Sequence, residues 1–230
     1  MPTSEPDVAQ SVGTARDRVA FIRDNTRVLQ PPLVPEVKLH LAEESVPLWQ
    51  KTEEELGEMN VPPPFWAFAW AGGQALARYV LDNQELAAGK RAVDLGAGSG
   101  LCAIAALLAG ATDALAADVD PFSLHAITLN AELNKVKLRA TTDDLLIASP
   151  PKLDLLLIGD LFYEKELSVS VLSWCSMAAT GGATVLVGDP KRSFFPVEQF
   201  EPVAEYSVPV TRALEDSEIK RTLVWKMRCQ

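Results

Sequence analysis

Residues Arg91 to Gly110 read RAVDLGAGSGLCAIAALLAG, and the run Asp94-Leu-Gly96-Ala-Gly98-Ser-Gly100 inside them decides the fold. Ahead of it stands an apolar strand; behind it, Ser99 to Leu108 has the apolar density of a buried helix. Glycines at alternate positions between a strand and a helix let the backbone pass a ligand with no Cβ in the way, while helix-end amides point at that ligand. The segment reads as a cofactor loop. A dinucleotide fingerprint, G-x-G-x-x-G, would need its third glycine where Leu101 stands, whereas D-x-G-x-G-x-G is complete.

Outward from the loop, strands and helices alternate. DALAAD leads into a helix from Pro121 to Leu133; KLRAT follows; LDLLLIGD leads into a helix around Lys165 to Met177; ATVLVGD closes the series at Ala183 to Asp189. Near-continuous Val/Leu/Ile strands separated by helices predict an α/β fold with a mostly parallel sheet buried on both faces. Val203 to Val208 and Thr222 to Lys226 have no helix between them and predict an antiparallel hairpin at the sheet edge. Upstream, VPPPFWAFAWAGGQALARYVLDN predicts an extended entry, a glycine turn and a helix from Gly73 to Leu81. Residues 1–60 read as an N-terminal extension: a loose start (Met1 to Val12), an amphipathic helix over Thr14 to Val28, a short strand over Val37 to Leu41 and an acidic helix from Trp49 to Met59.

Composition narrows the function. The chain has 230 residues, 48% hydrophobic and 23% charged, the usage of an ordinary globular domain. Lysine and arginine total 21 against 31 acidic residues, a net charge of −10, which disfavours nucleic acid as a partner. No apolar run approaches the roughly 18 residues of a membrane span. Cys102, Cys175 and Cys229 are too scattered for a disulfide framework or a metal pair, and His40 and His125 have no ligand-spaced partners, so no metal is expected.

The loop resembles motif I of class I S-adenosylmethionine-dependent methyltransferases, which implies a Rossmann-like seven-stranded sheet over residues 61–230 and S-adenosyl-L-methionine as the cofactor. Asp94, Gly96 and Gly98 are then cofactor-binding candidates. About 20 residues on, Asp118 stands at the tip of the next strand, where a carboxylate accepts hydrogen bonds from ribose hydroxyls. Its neighbour Asp120, before Pro121, reads as a helix cap. Asp143 and Asp144 fall where this family contacts the adenine amino group; Asp144 is the better match, a solvated turn the alternative. Gly159-Asp160-Leu-Phe162-Tyr163-Glu164 lies beyond the fourth strand, where open α/β sheets bind ligands. It lacks the prolines of adenine-methylating enzymes, and a carboxylate beside aromatics suits a lysine amine.

Three further segments sharpen the resemblance: PFWAFAWAGGQALARYVLDN, GDLFYE, and LVGDPKRSFF with EYSVP. From about Pro63 to Trp225 the chain resembles the electron transfer flavoprotein β-subunit lysine methyltransferases of the seven-β-strand protein-lysine methyltransferase family. Ala71 stands where that resemblance leads one to expect proline, and Lys191 where it leads one to expect glycine. The resemblance implies that Trp70 and the Gly72-Gly73 turn flank the methionine moiety or the cofactor entrance, and that Gly159 offers backbone contacts. Trp66 reads instead as core. Asp160 is expected to orient the lysine, with Phe162 and Tyr163 desolvating it; the alternative is Asp160 as a cap for the following helix. The expected substrate is the electron transfer flavoprotein β subunit, with a ribosomal protein or a small molecule as alternatives, and the expected enzyme is a monomer. With no leader pattern at Met1, a bacterial cytoplasmic setting is expected over the mitochondrial matrix.

Overall fold

In the computed structural model, residues 14–43, 63–210 and 219–228 are described. The loose start and the acidic helix expected over Trp49 to Met59 lie outside them. Seven strands form one mixed sheet: β3 (Arg91–Leu95), β4 (Asp113–Ala117), β5 (Arg139–Thr141), β6 (Leu155–Gly159), β7 (Thr184–Asp189), β8 (Phe200–Pro209) and β9 (Ile219–Met227). Their spatial order is β5-β4-β3-β6-β7-β9-β8, parallel from β5 through β7 and antiparallel through β9 and β8. The expected α/β sheet with an edge hairpin is therefore present. The hairpin strands run longer than their apolar cores suggested, because Glu201 and Pro202 sit on an edge strand, where a missing N–H leaves no ladder bond unmade.

Both faces of the sheet are covered. On one, Ala92, Ala114, Leu155, Leu157 and Leu186 pack against α2 (Ala71–Asp82) and α3 (Leu101–Leu108). On the other, Val93, Leu95, Leu156, Ile158 and Val187 meet α5 (Lys165–Thr180) through Val171, Trp174 and Cys175. Alternation along each strand sends neighbouring residues to opposite layers, and each large side chain so buried contributes on the order of 2 kcal/mol.

The segment before the sheet belongs to the same packing. α1 (Ala15–Asn25) is shorter than the expected Thr14 to Val28 because Thr14 and Asp17 form a capping box at its start, and Arg27–Leu29 (β1) turns extended to pair with Leu39–Leu41 (β2). Leu39 and Leu41 pack on Ile104 and Ala105 of α3, while Asn130 and Asn134 of α4 (Pro121–Leu133) and its cap accept hydrogen bonds from the amides of His40 and Lys38. No helix among the described residues is long and apolar enough to cross a membrane.

Candidate active site

β3 and β6 are neighbours in space although β4 and β5 separate them in the chain, so the strand order reverses there and a crevice opens beyond their carboxyl ends. Gly96 follows β3, Gly159 ends β6, and both line a cavity of about 500 Å³.

The β3 side of that cavity is held by backbone. Gly96, Gly98 and Gly100 have φ of +67°, +50° and +80°, a left-handed conformation that residues with a Cβ reach only at about 1–2 kcal/mol. Gly100 in that conformation serves as the N-cap, so α3 starts at Leu101 and not at Ser99. Asp118 lines the cavity; its carboxylate accepts from the amides of Gly98 (2.8 Å) and Asp120 (3.0 Å), so the residue also steadies the loop. Burial raises its pKa, against the pull of those amides. Asp120 caps α4 as expected, accepting from the Phe122 amide at 2.8 Å. Buried Asn130 spans from the Ser99 carbonyl (2.8 Å) to the His40 amide (2.7 Å), tying the loop to the N-terminal hairpin. Asp144, on the exposed rim, accepts from the Leu146 amide at 2.9 Å and also lines the cavity; Asp143 accepts from the Thr141 hydroxyl.

Asp94 borders a small recess beside the main cavity, together with Gly96, Gly98 and Gly159. It lies beneath the loop, only 2% exposed, with its carboxylate accepting from the amide of Ala103 at 2.9 Å, and it does not line the main cavity. Strand alternation turns it toward α3, so it caps that helix; burial pushes it up to about 7.

The β6 side is held by side chains. Asp160 has φ +57°, and its amide donates to the Gly188 carbonyl at 3.0 Å. One carboxylate oxygen accepts from the Gly73 amide at 2.9 Å; the other accepts from Arg192 Nε at 3.0 Å and Nη2 at 2.6 Å. Gly73 is the third residue of α2, whose own N-cap, Trp70, makes no side-chain cap bond. Asp160 therefore does cap a helix, but α2 and not the α5 that follows it, where Glu164 is the N-cap. The expected Gly72-Gly73 turn is in fact the first turn of α2. A methyl on Gly72 would overlap the Gly188 carbonyl and the Asp160 carboxylate, and one on Gly188 would overlap Gly72 in return. These glycines let α2 rest directly on β7. Gly73 thus spends its amide on Asp160 while its backbone borders a small recess beside the main cavity.

The aromatics divide. Trp70, Phe65 and Tyr163 line the cavity in sequence, with ring centroids 6.0 Å apart at each step, and Trp70 Nε1 donates to the Phe65 carbonyl at 3.0 Å. Phe162, expected to desolvate the acceptor, is fully buried on the opposite side of the chain, edge-on to Phe195 and Phe200. Of the two aromatics that follow β6, only Tyr163 lines the cavity, while Phe162 lies in the core. Trp66 is core, stacked on Phe122 at 6.1 Å. Arg192, on the cavity wall with its guanidinium 5.6 Å from the Trp70 ring centre, was not singled out from sequence, nor was Phe65. Both sit inside stretches quoted for their pattern, so the signal was the stretch and not the side chain.

A profile of the ribosomal protein L11 methyltransferase family matches residues 74–156. Individual ribosomal protein L11 methyltransferases match over a similarly limited stretch, that of Hahella chejuensis at 42% identity across 39% of this chain and 31% of its own length. Among solved structures, a Thermoplasma acidophilum protein superposes with a TM-score of 0.54 at 19% identity, covering 67% of this chain and 89% of that one. The magnesium protoporphyrin IX methyltransferase of Synechocystis superposes with a TM-score of 0.50 at 18% identity, covering 68% and 78%. Both establish the fold. The decisive relatives are longer matches. The electron transfer flavoprotein beta subunit lysine methyltransferase of Danio rerio is 36% identical over 96% of this chain and 87% of its own. That of Homo sapiens is 37% identical over 90% and 80%. Because this likeness spans both sides of the crevice, the chain belongs to the electron transfer flavoprotein beta subunit lysine methyltransferases, a family of S-adenosylmethionine-dependent enzymes.

Proposed function

We propose that the chain transfers methyl groups from S-adenosyl-L-methionine to lysine side chains of the electron transfer flavoprotein β subunit. The observation that carries this reading is the meeting of three separated stretches, the aromatic block, GDLFYE and GDPKR, at one wall of the cavity, through Gly73, Asp160 and Arg192. The ribosomal alternative draws on residues 74–156, which include the glycine loop but stop short of Asp160 and Arg192.

When bound, S-adenosylmethionine supplies an electrophilic methyl group on a sulfonium. In this chain Asp118 would hold the ribose hydroxyls, Asp144 an amino group at the rim, and Gly96 and Gly98 would allow close backbone approach. Trp70, Phe65 and Tyr163 offer ring faces to cationic groups and exclude water from the acceptor. In-line displacement needs the lysine as a free amine held in line, so positioning accounts for most of the catalysis. Buried thiols at Cys102 and Cys175 fit a reducing compartment such as the bacterial cytoplasm.

The test is transfer of radiolabelled methyl from S-adenosylmethionine to purified electron transfer flavoprotein and to ribosomal proteins side by side. Label on β-subunit lysines, lost with Asp160→Ala, is expected. Label on ribosomal proteins alone, or none on the flavoprotein, overturns the assignment.

A further inference from the structure

A free carboxylate beside the target lysine would hold it as an ammonium, which has no lone pair with which to attack. The structure does not leave Asp160 in that condition. Its oxygens meet the Gly73 amide and two nitrogens of Arg192, whose guanidinium lies 5.6 Å from the Trp70 ring centre and stands on the cavity wall. Arg192 is itself fixed: its amide donates to the Asp189 carboxylate at 2.7 Å, and its side chain is 20% exposed against 7% for Asp160.

We propose that Arg192 is a positioning residue for methyl transfer, holding the Asp160 carboxylate away from the target amine and standing as a fixed cation beside it, so that the lysine enters uncharged. The inference rests on the reading that the acceptor is an amine.

Among the described residues, the charged and titratable groups near this point come from several elements. Asp160, Tyr163 and Glu164 follow β6, Asp189 ends β7 and Lys191 follows it, Asp94 of β3 and Cys102 of α3 border the recess that Asp160 also lines, and Asp118 and Asp120 lie across the cavity after β4. Lys191 points elsewhere, its ammonium 5.6 Å from the Trp225 ring centre. The first turn of α2, Ala71 to Gly73, contributes none. The guanidinium is thus the cation on the cavity wall nearest Asp160 among the described residues. At an effective dielectric of about 20, one unit charge about 6 Å away moves a titration by on the order of one to two pH units.

The experiment is the pH dependence of kcat with saturating S-adenosylmethionine and electron transfer flavoprotein as acceptor, for the wild type, Arg192→Gln, Arg192→Lys and Asp160→Asn. The rise of kcat with pH reports the amine losing its proton in the bound complex. Arg192→Gln removes the cation and unmasks Asp160, and both changes move the midpoint upward, by at least about one unit. Arg192→Lys keeps the charge and stays nearer the wild type. Asp160→Asn leaves the guanidinium without its counter-ion and moves the midpoint of the residual activity downward. Opposite shifts for the two partners are the signature that loss of packing alone does not produce. A uniform drop at every pH, with coincident midpoints, overturns the proposal. If Arg192→Gln does not fold, Asp160→Asn decides, and an unchanged or raised midpoint there overturns it. Labelled wild type with coincident midpoints removes this inference and leaves the substrate assignment standing, whereas absence of label with wild type removes both.

Discussion

The two walls of the crevice solve one problem differently. On the β3–β4 side, carboxylates are met by backbone amides close by: Asp94 by Ala103, Asp118 by Gly98 and Asp120. On the β6–β7 side, Asp160 is met by an amide 87 residues away and a guanidinium 32 residues away. The first wall is a property of one local motif; the second exists only when three segments have come together. The family profile covering residues 74–156 takes in the first wall and stops before the second, so the likeness to the ribosomal protein L11 methyltransferases reaches only the glycine-loop side.

The comparison is broken most severely at the backbone contact beneath the second wall. Gly188→Ala drives a methyl into the Gly72 carbonyl, and a loss of about 3 kcal/mol is expected, read as a lower midpoint in thermal or denaturant unfolding. An unchanged midpoint would mean that α2 does not rest on β7 as described. Next comes Asp160→Asn, expected to reduce turnover on the order of 100-fold, about 2.7 kcal/mol, while S-adenosylmethionine affinity by calorimetry changes little. Asp118→Asn should do the reverse, weakening cofactor binding about 10-fold or more with turnover at saturation largely kept. If the two variants lose the same parameter, the walls do not divide the work.

Smaller effects sharpen the picture. Burial pushes both Asp94 and Asp189 up to about 7, from ordinary values near 3.8, and one Asp189 oxygen is buried without a hydrogen-bond partner. Between about pH 4 and pH 7 the folded state therefore binds more protons than the unfolded one, and stability falls as pH rises through that window. Asp189→Asn should flatten the fall in unfolding midpoint; an equal slope would assign it to Asp94 and its neighbours. Last is Lys191, at φ +67° with its ammonium over Trp225. Lys191→Gly relieves the backbone and removes the ring contact, for a net gain below about 1 kcal/mol. A lower calorimetric midpoint would show that the ring contact dominates.

Much of this was legible in the chain. The glycine loop, Asp118 and the Pro121 helix start were readable because each obeys a local rule, and the mostly parallel sheet with its edge hairpin followed from apolar strands that alternate with helices until the last two. That Asp94 faces the small recess and α3 was not legible, because a motif names a residue without saying which layer strand alternation sends it to. Phe162 and Tyr163 could not be separated because they lie in the loop past β6, where no periodicity says which side chain turns inward. Arg192 was hidden because its importance lies in a partner on another strand, and Gly72 because two glycines in a row read as a turn until the helix resting on them is seen. Even the unexpected Lys191 makes sense only with its φ, since that is the conformation a glycine would adopt freely.

The bonds made by Asp160 also set an order of events in folding. A nascent chain that ends at Ile158 already holds every glycine of the cofactor loop, the Asp118 strand and the helix α2, yet nothing at the start of α2 receives the Gly73 amide. Only when residues 160 and 192 have both been made and β7 has joined the sheet can that junction close. Contacts of such long sequence separation form late and slowly. A product truncated before residue 160 would thus hold the whole cofactor loop while the start of α2 stays unjoined to β6 and β7.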